Sequence, residues 1–150
     1  MKEELISFET AKLAKEVGFD ENTGEFYTTA GKLTGVMYYD PTPNNKTIDT
    51  EWFSVLEKES TAYCTAPTQS LLQRWLREKH KIHIKVDDFI NDKLGIEWDF
   101  EVTLIGTDID EGGNYIPLIS YSLNDPNRKF NTYELALEAG LLQALKLIKT

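Results

Sequence analysis

Residues 98–104 alternate apolar and polar side chains without a break, Trp98, Phe100, Val102 and Leu104 against Asp99, Glu101 and Thr103. This is the period of a strand with one buried face, and a slip of one residue would bury its carboxylates. Asp99 and Glu101 are therefore expected on the solvent side. Ile82, Ile84 and Val86 alternate in the same way with Lys81, His83 and Lys85. A third strand is expected from Tyr115 to Leu123, joined to the second through Thr107 to Asn114, where Gly112 and Gly113 permit a turn. Pro117 lacks a backbone donor, which predicts a free edge or an irregularity in that strand.

Helical patterns flank these strands. Thr65-Ala66-Pro67-Thr68 places a capping hydroxyl and an early-turn proline ahead of Leu71, Leu72, Trp75 and Leu76, which share one helix side. Ser70, Gln73, Arg74 and Arg77 take the opposite side, and the strand from Ile82 follows almost without a loop. Asn131, with Glu134 after it, resembles a capping box and opens a helix to about Ile148. Tyr133, Leu137, Gly140, Leu141, Ala144, Leu145 and Ile148 form its expected buried stripe. A glycine inside a helix costs about 1 kcal/mol against alanine, so Gly140 points to close approach of another backbone.

In the N-terminal part, Ser7 caps a helix that runs to about Val17, with Ile6 and Ala11 as a hydrophobic staple. Gly18 followed by Phe19 supplies its stop. Phe26 to Thr29 and Leu33 to Tyr39, separated by Ala30-Gly31-Lys32, read as a hairpin. Asp40 to Asn45 is a loop, and Thr47 to Tyr63 has no readable period. The expected fold is α+β: a single domain over 1–150, with an antiparallel sheet covered by helices mainly on one face. Its C-terminal part runs helix, strand, strand, strand, helix, and the segment 1–64 packs on the unit 65–150 or extends its sheet. Leu72, Trp75, Phe100, Val102, Leu141 and Leu145 are its expected core.

Chemistry-bearing patterns are sparse. Gly24 and Gly31-Lys32 are too far apart for a phosphate-binding loop, and Leu33 stands where a magnesium-holding hydroxyl belongs. Asp108-Ile109-Asp110-Glu111-Gly112 begins like a calcium loop, but Ile119 takes the place of the closing glutamate, which leaves an acidic solvated loop. His80 and His83 fit no zinc spacing. The former should sit near a helix end, where a protonated ring favours the dipole, and the latter should face water. Cys64 is the one cysteine; it excludes an internal disulfide and reads as a small buried hydrophobe. No catalytic, cofactor-binding or metal-binding residue is assigned, and no cofactor is expected.

The charge balance is uneven. The chain carries −9 overall, divided as −6 over 1–66, +4 over 67–86 and −7 over 87–150. Arg74, Arg77, Lys81, His83 and Lys85 are thus the candidate interaction patch, to be weighed against neutralisation by the protein's own carboxylates. No apolar run approaches the roughly 20 residues of a membrane span. With no signal-peptide pattern at the start, the expected location is the cytosol.

The segment Ala66-Pro67-Thr68-Gln69-Ser70-Leu71-Leu72-Gln73-Arg74-Trp75-Leu76-Arg77-Glu78-Lys79-His80-Lys81-Ile82-His83-Ile84 resembles a family of small, uncharacterised proteins. These are encoded by phages and prophages of gut bacteria, especially the Bacteroidetes, and share a helix ending W-L-R-E-K-H followed by an I-x-I strand. The stretch from Glu134 to Ile148 is similar to that family's other shared segment, and Ile6 to Phe19 to its start. The resemblance covers about a third of the chain and implies origin and fold; it transfers no functional residue. The helix-strand-strand-strand-helix order is also similar to that of the double-stranded RNA-binding domain. That family's Gly-Pro-x-His loop and lysine-rich final helix start are absent here.

The leading expectation is a non-enzymatic phage or prophage accessory protein acting on a host or phage protein. The alternatives are a nucleic-acid-binding module that uses the basic island, and an enzyme with an unrecognised carboxylate site.

Overall fold

In the computed structural model, residues 3–35, 44–48, 62–121 and 128–149 are described. The chain divides into two compact units, Met1–Thr68 and Gln69–Ile148. Among the described residues there are three helices and two three-stranded antiparallel sheets, an α+β fold.

In the first unit, α1 (Phe8–Glu16) begins where the Ser7 hydroxyl accepts the Thr10 N–H. It ends in a Schellman motif: Gly18, at φ +93°, donates to Lys15 O, and Phe19 donates to Ala14 O. Ile6, Ala11, Ala14 and Phe19 are buried beside it. β1 (Glu25–Thr28) and β2 (Leu33–Gly35) form the expected hairpin around Gly31, which is left-handed at φ +79° and lies against the Phe8 ring. The remainder of the expected second strand, 36–39, lies outside the described residues.

β3 (Ala62–Thr65) pairs with β1, so Thr65, expected as a helix cap, belongs to a strand. The hairpin and β3 form a sheet of their own, order β2-β1-β3, and do not extend the C-terminal one. Asn45, expected in a loop, is buried. Its amide donates to Phe19 O and accepts from Thr65 N–H, holding β3 to the end of the first helix.

The second unit runs α2 (Gln69–His80), β4 (Ile82–Ile90), β5 (Ile96–Ile109), β6 (Tyr115–Tyr121) and α3 (Tyr133–Lys149), with sheet order β4-β5-β6. Pro67 precedes α2 rather than lying in its first turn, and its carbonyl accepts from Ile6 N–H. Lys81 alone joins α2 to β4, at φ +57°, a left-handed single-residue reversal. Pairing of β4 with β5 continues to Ile90↔Ile96, four residues beyond the alternation that ends at Val86, so the loop between them is 91–95. Likewise β5 continues to Ile109, which shortens the next connection to 110–114.

The sheet's inner face carries Ile82, Ile84, Phe100 and Val102, all buried. Gly140 faces it: a Cβ there would lie 2.8 Å from Ile84 Cγ2 and 3.2 Å from Phe100 Cδ2. The approach that requires glycine is therefore to two side chains, not to a backbone. Leu72, Trp75, Leu141 and Leu145 are also buried. Gln69 joins the two helices by donating to Glu134 O and to the Glu138 carboxylate, while Gln73, expected on the solvent side, donates to Ile84 O. The α3 cap is Thr132, whose hydroxyl accepts Leu135 N–H, one position later than the Asn131 capping box. Tyr133 is exposed rather than part of the buried stripe, although its ring meets Trp98 edge-on.

Asp99 departs most from the alternation. It is only 1% exposed, and its carboxylate accepts from Arg128 Nε at 2.7 Å and from Phe100 N–H at 2.8 Å. Arg128 also donates to Phe100 O and lies 4.0 Å over the Phe100 ring. Phe130 forms a backbone bridge to Trp98, fixing this returning segment along β5.

Candidate interaction surfaces

Arg74 and Arg77 are exposed on α2, and neither is ion-paired with a described residue. Lys81 is exposed and its ammonium donates to Glu78 O. His83 and Lys85 are exposed on β4, and strand alternation sends them to the sheet face opposite Ile84 and Gly140. Two arginines thus stand on the helical layer, while His83 and Lys85 stand beyond the sheet. Lys85 is bridged to Asp87 at 2.6 Å and lies opposite Glu101, and the Asp87 hydrogen bond holds its ammonium pKa above the ordinary value.

The other chemistry-bearing residues have local roles. His80 packs against Trp75, ring centroids 4.5 Å apart, and burial lowers its pKa. Burial thus opposes the protonated form, the one whose charge would favour the helix dipole. Burial pushes the Cys64 thiol up to about 12, although Lys15 and Lys12 pull the other way; a reactive thiolate needs the opposite shift. Asp110 spends its carboxylate on the N–H groups of Gly112 and Asn114, and these bonds, that from Asn114 foremost, lower its pKa. Among the described residues no three His, Cys, Asp or Glu side chains gather in a way that could hold a metal. Nor is any described helix long and apolar enough to cross a membrane.

Exposed apolar side chains gather instead at the two ends of the second sheet. At the β4–β5 turn, the cross-strand partners Ile90 and Ile96 are both exposed, the former at 71%. Between them Leu94 is 87% exposed and left-handed at φ +59°, a conformation costing an L-residue roughly 1–2 kcal/mol. Asn91 enforces the turn: its side-chain oxygen accepts from Lys93 and Gly95 N–H, and its amide donates to Glu97. An open hollow of about 670 Å³ adjoins it, lined by Phe89, Asn91, Glu97 and Lys129 among others. The Lys129 ammonium stands 3.6 Å over the Phe89 ring.

At the β5–β6 turn, Ile109, Tyr115, Ile116 and Leu118 are exposed. The pairing is irregular on both sides of Ile105↔Pro117, as Pro117 predicted, and Gly106 is required there because a Cβ would meet Ile116 O at 2.5 Å. The sequence reading missed the first of these ends by closing its strand at Val86. Asn91 and Gly95 between Ile90 and Ile96 were the available signal for a hairpin turn. Comparison of the chain with family models, with curated proteins and with solved structures finds no match.

Proposed function

We propose that this is a non-enzymatic interaction protein of phage or prophage origin, acting in the bacterial cytoplasm by docking the β4–β5 turn onto another protein. The phage origin rests on the resemblance of the 66–84 and 134–148 segments. The docking role rests on Leu94. A turn already enforced by Asn91 would be relieved by glycine or asparagine at position 94, yet it carries a large aliphatic side chain in a strained and solvated setting. Three exposed aliphatic residues at one turn are suited to filling an apolar pocket on a partner.

A second reading, nucleic-acid binding, is favoured by the exposed Arg74 and Arg77 and by the α-β-β-β-α order of the second unit. The discriminating experiment is capture from host lysate, with and without nuclease, by the wild-type chain, by Leu94→Asn, and by Arg74→Glu with Arg77→Glu. The protein-docking reading expects a partner that survives nuclease, is lost with Leu94→Asn and is kept with the charge reversal. Loss of every partner on nuclease treatment and on charge reversal supports the second reading instead.

A further inference from the structure

The far end of β5 carries a different surface. Ile109, Tyr115, Ile116 and Leu118 are exposed there, Leu118 at 65%, and β6 is the edge strand of the described sheet. Residues 105–121 contain Asp108, Asp110 and Glu111 and no lysine or arginine. All three carboxylates are exposed, and Asp110 is held in place by the turn's own N–H groups.

We infer that this end of the β5–β6 hairpin docks a protein surface whose apolar patch is rimmed by lysine and arginine. The inference rests on reading the chain as an interaction protein but uses the opposite end of the sheet from Leu94. Charge selects the occupant. An anionic membrane or a nucleic acid would meet three exposed carboxylates on a chain of net charge −9, which repels both. Such a charge also opposes a second copy. A basic-rimmed apolar surface satisfies both halves of the hairpin at once, the carboxylates steering the encounter and the side chains burying apolar area.

The test is titration of the isotope-labelled full chain with short synthetic peptides, followed by backbone amide resonances. One peptide alternates leucine with lysine, one alternates leucine with glutamate, and one contains lysine without leucine. The inference expects shifts within 106–118 for the leucine–lysine peptide alone, weakening as salt rises. Ile116→Ser with Leu118→Ser should weaken that binding about tenfold or more, the loss expected for removing a buried aliphatic contact. Asp108→Lys with Glu111→Lys should transfer the preference to the leucine–glutamate peptide; this pair serves even if the serine pair fails to fold. Leu94→Asn should leave the binding unchanged, so failure of the β4–β5 docking role is read separately. Equal response to all three peptides, shifts elsewhere, binding to anionic vesicles, or concentration-dependent dimerisation through 115–118 would each overturn the inference.

Discussion

The middle and the ends of the second sheet are built from the same residue types with opposite fates. Ile84, Phe100 and Val102 are buried in the middle, while Ile90, Ile96, Ile109 and Leu118 are exposed toward the ends. Element lengths differ in the same sense. The 17 residues of α3 span about 25 Å at 1.5 Å each, whereas the 14 residues of β5 reach about 46 Å at 3.3 Å each. A helix of that length can cover only part of such a strand. Apolar side chains in the covered stretch contribute to stability, and those beyond it are available for recognition.

Mutations can break or sharpen this contrast. The largest effect is expected at the buried ion pair of the covered stretch. Asp99→Ala leaves the Arg128 guanidinium without its buried carboxylate and should lower unfolding stability by about 3–5 kcal/mol in chemical denaturation. Asp99→Asn, which keeps an oxygen for the Phe100 N–H, should cost less. On the inner face, Leu141→Ala empties a fully buried site and should cost about 2–5 kcal/mol by the same measurement. A loss below 1 kcal/mol at Leu141 would mean that the covered stretch is not packed as described.

At the ends the sign should change. Leu94→Gly relieves a left-handed leucine at the expense of greater freedom in the unfolded chain, for a net gain of up to about 1 kcal/mol and a melting temperature higher by a few degrees. Clear destabilisation by this change would show that Leu94 packs within the protein, and the contrast between middle and ends would fail there.

Local chemistry made much of the fold legible. Ser7 and Gly18 bounded α1 because caps depend on a few adjacent residues. The alternation through Trp98 to Leu104 placed Phe100 and Val102 inward because successive strand side chains must point to opposite faces. Gly140 signalled close contact because an interior helix glycine otherwise lowers stability, although what it approaches are the side chains of Ile84 and Phe100. The candidate patch was legible only as residue types. Exposure of Arg74 and Arg77 follows from helix period, whereas the Lys85–Asp87 pairing depends on side-chain placement.

Tertiary structure alone decided the remainder. Periodicity assigns a side chain to a face but does not say what covers that face, and nothing local to Asp99 reveals that Arg128, 29 residues later, bonds its carboxylate. β3 has too few residues to show a period, and it exists through pairing with β1. Exposure of Ile90 and Leu118 is equally non-local: Ile84 and Leu141 are buried, and burial depends on which elements fold over a residue and not on the residue itself.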